Sequence, residues 1–255
     1  MEDIQLLVGI ALFIAGLLAG FVDSVAGGGG LITLPVLLGL GLPPQVALGT
    51  NKFQSSFGSF SAAYNFVRQG RVKLKDAVLG IIFTLIGAAL GAWAIQQIPN
   101  DFLKHIIPFL LLVVLLYTIF SPRLGDEDSQ PKMERQVFFL VFGLALGFYD
   151  GFFGPGTGSF WTVALMAGLG FNMAKATGYT KVMNFTSNIV SLGVFLLGNN
   201  VAYTAGVIMA AGQFLGARFG SGLVIKKGTG FIRPIFITMV FMTIVSLVYK
   251  TYFHI

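Results

Sequence analysis

Seven long stretches of the chain contain no Asp, Glu, Lys or Arg: 4–22, 24–51, 77–100, 106–122, 151–174, 182–217 and 234–249. A helix needs about 20 apolar residues to cross the roughly 30 Å hydrocarbon core of a bilayer. Only 10% of the residues are charged, against roughly 25% in soluble domains. An all-α integral membrane protein follows, with about 8–10 membrane segments. The ten-residue alternation of an outer-membrane barrel is absent. The start at Met1, Glu2 and Asp3 lacks the positive region of a cleaved signal peptide, so 4–22 is expected to be retained as a membrane segment.

Composition excludes several chemistries. There is no cysteine, and the two histidines, His105 and His254, stand far apart, so neither a thiolate nor a histidine metal site is expected. The formal charge of +6 is scattered at segment ends instead of forming the basic stripe of a nucleic-acid binder. Walker, H-E-x-x-H and G-x-S-x-G motifs are missing, so no enzyme activity and no cofactor are expected.

Two places resist the simple pattern of spans. GFVDSVAGGGGLITLP, Gly20 to Pro35, sets Asp23 and four consecutive glycines inside an apolar run, and GFYDGFFGPGTGSFWT, Gly147 to Thr162, resembles it. Glycine costs about 1 kcal/mol relative to alanine inside a helix, so both stretches predict broken or re-entrant helices. Segments are expected at 4–22, 31–40, 46–67, 76–96 and 103–120, and again at 136–149, 157–170, 175–197, 203–225 and 232–252. The polar run Arg123 to Arg135 divides them into a first repeat, 1–122, a linker, 123–135, and a second repeat, 136–255.

One register relates the halves. An offset of 129 residues pairs Ala47 with Ala176, Gly49 with Gly178, Lys52 with Lys181, Phe66 with Phe195, and Gly87, Ala88 and Gly91 with Gly216, Ala217 and Gly220. Asp23 meets Asp150 at an offset of 127. Short cytoplasmic loops carry excess Lys and Arg. The loop at 68–75 holds four such residues and its counterpart at 198–202 none, whereas the turn at 97–101 has none and its counterpart holds Lys226 and Lys227. The repeats are therefore expected to be inverted, with a cytoplasmic linker and both termini outside. Inverted repeats with broken helices are a construction of secondary transporters, with the site at the repeat interface.

Non-helical backbone at membrane depth is tolerated where it is buried or lines a cavity. Gly28, Gly29 and Gly30, with Gly156, Thr157 and Gly158, are candidates for an anion site built from backbone N–H groups and helix N-termini. Close helix packing through small residues is the alternative. Lys52 and Lys181 lie in register and would supply positive charge, against the alternative that each snorkels to the interface. Asn51 and Ser55 in the first half, and Thr180, Asn184 and Asn188 in the second, offer hydrogen bonds on shared helix faces. Asp23 and Asp150 either couple transport to protons or cap the glycine turns. Gly87 with Gly91 and Gly216 with Gly220 fit small-xxx-small packing.

The two motif pairs, GFVDSVAGGGGLITLP with VALGTNKFQSSFGSFSAAYNF and GFYDGFFGPGTGSF with ATGYTKVMNFTSN, resemble the TauE/SafE family of sulfite exporters over nearly the whole chain. The resemblance implies a permease in the bacterial cytoplasmic membrane that moves small sulfur-containing anions, sulfite or organosulfonates, usually outward. Its partners would be that anion and the lipid bilayer. A passive anion channel on the same scaffold and a non-transporting membrane subunit are the alternatives.

Overall fold

The structure, a computed structural model, describes residues 2–120 and 127–227. The expected segment at 232–252, His254 and linker residues 123–126 lie outside the described residues. Among those described, the chain is all-helical: α1 (Glu2–Ala26), α2 (Gly30–Gly39), α3 (Pro44–Arg68), α4 (Leu74–Gln96), α5 (Asn100–Phe120), α6 (Arg135–Phe152), α7 (Thr157–Leu169), α8 (Met173–Leu197) and α9 (Tyr203–Lys227). Six of these, α1, α4, α5, α6, α8 and α9, are long and apolar enough to cross a membrane. Helices α2 and α7 have 10 and 13 residues. At 1.5 Å per residue they reach only about 15 and 20 Å, half to two-thirds of a hydrocarbon core.

Both half-length helices are held by apolar packing. Leu31, Leu34 and Leu37 of α2 bury themselves in a cluster with Leu103, Ile107 and Leu111 of α5. Trp161, Leu165 and Leu169 of α7 do the same with Phe138 and Phe139 of α6 and Met183 of α8.

Helix α3 matches the spanning helices in length but is built inside out. Thr50, Asn51, Lys52, Gln54, Ser56, Ser59, Ser61 and Asn65 are buried, while Phe57, Phe60 and Tyr64 face outward. Helix α8 repeats the arrangement, with Thr180, Lys181, Asn184, Ser187, Asn188 and Ser191 inside and Ile189 and Leu197 outside. In a bilayer the apolar residues belong outside, so the polar faces of these two helices must meet in the interior. They pack against each other there.

The halves exchange partners. The most extensive helix contacts are α1 with α9 and α4 with α6, so the first helix of each half lies along the fourth helix of the other. Glycines make this possible. A Cβ on Gly147 would stand 2.6 Å from the Thr84 carbonyl oxygen, and Gly87, Gly91, Gly151, Gly212 and Gly216 are equally tight against facing backbone. For Gly87, Gly91 and Gly216 the expectation of close packing holds.

The first membrane segment extends beyond Asp23, where the sequence suggested an end at residue 22. Asp23 and Asp150 lie in the last turns of α1 and α6. The Gly27 N–H still donates to the Asp23 carbonyl at 2.9 Å, and the helix breaks where Gly27 takes φ +77°. A carboxylate does not itself interrupt the backbone bonds; the left-handed glycine does. Gly30 already belongs to α2, so the four-glycine run supplies a three-residue break.

The described part of the linker straps across the end of α7. Ser129 N–H donates to the Gly170 carbonyl at 2.7 Å, and Lys132 N–H to that of Gly168 at 2.9 Å. The Asp128 carboxylate accepts from Asn172 N–H at 2.7 Å and Lys175 Nζ at 3.3 Å. The Asn172 backbone bond, followed by Lys175, holds the Asp128 carboxyl below its ordinary value.

Candidate functional site

The two chain breaks meet backbone to backbone. A Cβ on Gly158 would stand 2.5 Å from Gly27 Cα. Around this meeting point lies a small cavity lined by Asp23, Gly27, Gly30, Asn51, Lys52 and Ser55 from the first half, and Asp150, Gly154, Gly156, Thr157, Gly158, Asn184 and Asn188 from the second. Its volume of about 20 Å³ is room for about one water molecule.

Nine of the thirteen residues expected to bind substrate line this cavity: Gly30, Asn51, Lys52, Ser55, Gly156, Thr157, Gly158, Asn184 and Asn188. Gly28, Gly29, Thr180 and Lys181 do not line it. Gly27 and Gly154 join the lining, both with left-handed backbone, φ +77° and +100°.

The lysines do not snorkel; each is buried and crosses to the other half. Lys52 Nζ lies 2.6 Å from Asp150 Oδ1 and donates to the Asp150 carbonyl at 2.5 Å. Lys181 Nζ lies 3.1 Å from Asp23 Oδ2 and donates to the Asp23 carbonyl. Each lysine thus binds both the carboxylate and the backbone carbonyl of an aspartate in the last turn of a helix, where positive charge is favourable. The first-half lysine closes the second half's break, and the second-half lysine closes the first's.

Each aspartate also has a local role. Asp23 Oδ1 accepts from the Gly29 N–H at 3.3 Å, which caps the glycine turn, and Asp150 Oδ2 accepts from the Ser187 hydroxyl. Capping and pairing coexist at Asp23. The ionised cluster contains two ammonium and two carboxylate groups, so its net charge is zero.

The sequence reading missed Thr33 and Thr162. Thr33 Oγ1 donates to the Gly29 carbonyl at 3.2 Å and to Asn51 Oδ1 at 2.5 Å. Thr162 Oγ1 donates to the Gly158 carbonyl at 2.8 Å and shares a hydrogen bond with Thr180 Oγ1 at 3.2 Å. The 129-residue offset that pairs the lysines also pairs Thr33 with Thr162 and Asn51 with Thr180. Extending it from the helices into the motifs would have found both threonines. Asn51 Oδ1 additionally accepts from Gln54 Nε2 at 2.9 Å, so what Asn51 retains for a ligand is its amide N–H₂. Asn188 Nδ2 donates to Ser59 at 3.4 Å, and Asn184 Oδ1 is buried without a partner.

Arg218 takes no part in the cavity. Its Nη1 donates to Asn65 Oδ1 at 2.5 Å, toward the C-terminal end of α3. No group of acidic or histidine side chains arranged for a metal occurs among the described residues.

The chain matches the family described as sulfite exporter TauE/SafE over residues 12–247. A probable membrane transporter protein of Haemophilus influenzae is 47% identical over 95% of this chain and 96% of its own length. The probable membrane transporter protein YfcA of Escherichia coli is 45% identical over 97% of this chain and 91% of its own. A Bacillus subtilis relative, probable membrane transporter protein YdhB, is 26% identical over 90% of this chain. No solved structure matches.

Proposed function

The chain belongs to the sulfite exporter TauE/SafE family of membrane transporters, and from that premise we propose that it carries a small sulfur-containing oxyanion, such as sulfite or an organosulfonate, by alternating access between two inverted repeats. The observation that carries this reading is the crossed pairing of Lys52 with Asp150 and Lys181 with Asp23 around one cavity. Cations held at the junction of two halves supply charge for an anion and, at the same time, link the elements that must separate for it to pass.

Around the cavity the donors are the Asn51 amide, the Ser55 hydroxyl, the asparagines of α8 and the backbone of two glycine breaks, while the Thr157 hydroxyl donates to the Gly154 carbonyl at 2.6 Å. Oxyanions are bound by such convergent N–H and O–H groups. An oxyanion is larger than the single water that fits, so binding requires α2 or α7 to yield at its glycine end. Movement of this kind belongs to a carrier rather than an open anion pore. In the cell membrane the linker would face the cytoplasm and both termini the outside, as the Lys and Arg distribution indicates.

A thermal-shift screen of purified protein against sulfite, sulfate, thiosulfate and short alkanesulfonates tests the substrate class. Concentration-dependent stabilisation by at least one of them is expected, because a ligand bound only by the folded state raises the melting temperature. Stabilisation by none would refute the oxyanion assignment.

A further inference from the structure

The two ion pairs are not equivalent. Both carboxylate oxygens of Asp150 are occupied, Oδ1 by Lys52 at 2.6 Å and Oδ2 by the Ser187 hydroxyl, and its side chain is 5% exposed. Asp23 is held less firmly. Its Oδ2 is 3.1 Å from Lys181, its Oδ1 receives only the long 3.3 Å bond from Gly29, and its side chain is 19% exposed where it lines the cavity.

The repeat explains the difference. At the 129-residue offset Ser187 corresponds to Gly58. The space a side chain would need at Gly58 is filled by Gln213, so this position supplies no counterpart of the Ser187 hydroxyl.

We propose that Asp23 is the carboxylate that takes up a proton as the oxyanion binds, whereas Asp150 stays ionised, so that one proton and one anion move together. This rests on the transport reading above. An anion entering the cavity brings negative charge beside Asp23 and competes with it for Lys181. A proton delivered from hydronium on the open aqueous side neutralises the Asp23 carboxylate, leaves neutral water behind, and frees the Lys181 ammonium for the anion. The Lys181 bond to the Asp23 carbonyl keeps the ammonium at the break when the carboxylate releases it. On the other side of the membrane the anion leaves, Asp23 returns its proton to water, and the pair re-forms. Only O–H bonds change: one breaks in hydronium as one forms on Asp23, the reverse happens on release, and the proton crosses in the direction of the anion.

The charged groups facing Asp23 are Lys181 from α8 and, across the cavity, Lys52 from α3 with its partner Asp150 from α6. Helices α2 and α7 carry no titratable side chain, and on α9 Arg218 is turned to Asn65. Asp23 is therefore the group whose charge can change without leaving a lysine stranded in the Asp150 pair.

Binding of methanesulfonate, whose own charge is constant near neutral pH, should be measured by calorimetry as a function of pH. For wild type the affinity should weaken as pH rises, approaching tenfold per unit, the limit for one linked proton. Asp23→Asn, which fixes the neutral form, should flatten this slope at the tight-binding level, and Asp150→Asn should leave the slope in place. Proton uptake by wild type in weakly buffered solution, approaching one per bound anion, tests the coupling itself even if a variant fails to fold. A slope that survives in Asp23→Asn, a slope lost in Asp150→Asn alone, or binding without proton uptake would overturn the assignment of the proton to Asp23. Methanesulfonate bound equally at every pH would overturn the coupling and leave the anion site standing. No binding of methanesulfonate at any pH would count against the site and this inference together.

Discussion

Lys52 of α3 and Asp150 of α6 form a buried ion pair, Nζ to Oδ1 2.6 Å, with side-chain exposures of 1% and 5%. Removing either partner strands a charge out of water, which typically costs about 3–5 kcal/mol. Lys52→Met and Asp150→Asn should each lower the unfolding temperature of the detergent-solubilised protein markedly. The double variant should recover part of that loss, because it buries no unpaired charge. A double variant no more stable than the worse single one would show that the pair is not coupled.

The contact of Gly27 with Gly158 leaves no room for a methyl group. Gly158→Ala would place a Cβ 2.5 Å from Gly27 Cα, so the two breaks must separate, and both folded stability and anion binding should fall. Gly193→Ala is the matched control. A Cβ there meets nothing within 4 Å, and removing a helical glycine should be neutral or stabilising by up to about 1 kcal/mol. Thermal unfolding of the two variants, compared with wild type, checks this.

Thr33 bonds Asn51, which lines the cavity, and Thr162 bonds Thr180, which does not. Thr33→Val keeps the shape and removes the donor to Asn51 Oδ1. Oxyanion affinity should drop about fivefold for a lost bond worth roughly 1 kcal/mol. Thr162→Val should have a smaller effect, since Thr180 does not line the cavity. Titration of each variant with the anion that stabilises wild type gives the comparison.

Asp128 makes the strap between linker and α8 sensitive to acid. Its carboxyl is held below the ordinary value of 3.8, first by the Asn172 N–H and then by Lys175. A depressed value means that ionised Asp128 favours the folded strap; this contribution is full above the ordinary carboxylate range and is lost as pH falls below about 4. Hydrogen exchange at Asn172 should be faster in Asp128→Asn than in wild type at neutral pH, and the difference should vanish in acid.

Much of this architecture was legible in the sequence because membrane insertion leaves few choices. The apolar runs gave helices at 76–96 and 203–225, close to the observed 74–96 and 203–227, and the glycines gave the half-length α2 and α7. The paired register of Lys52 with Lys181 pointed to the interior, and both are buried there. The crossing of the pairs was not legible. Sequence offset relates Lys52 to Lys181 and Asp23 to Asp150, but which lysine meets which aspartate depends on how two halves exchange helices, a contact spanning 98 residues in one case and 158 in the other. The extension of α1 past Asp23 was missed for a local reason: the end was placed at the charge, whereas the backbone turned at Gly27.

Solute counterflow in proteoliposomes distinguishes an alternating-access carrier from an open pore. Vesicles loaded with an excess of the unlabelled anion that stabilises the protein are diluted into a trace of the same anion carrying a radioactive label, with the membrane potential clamped at zero. An alternating-access carrier exchanges internal for external anion, so the label should accumulate transiently above its external concentration, and Lys52→Met should abolish the overshoot. Label that only equilibrates, with flux persisting in Lys52→Met, would contradict alternating access at this site.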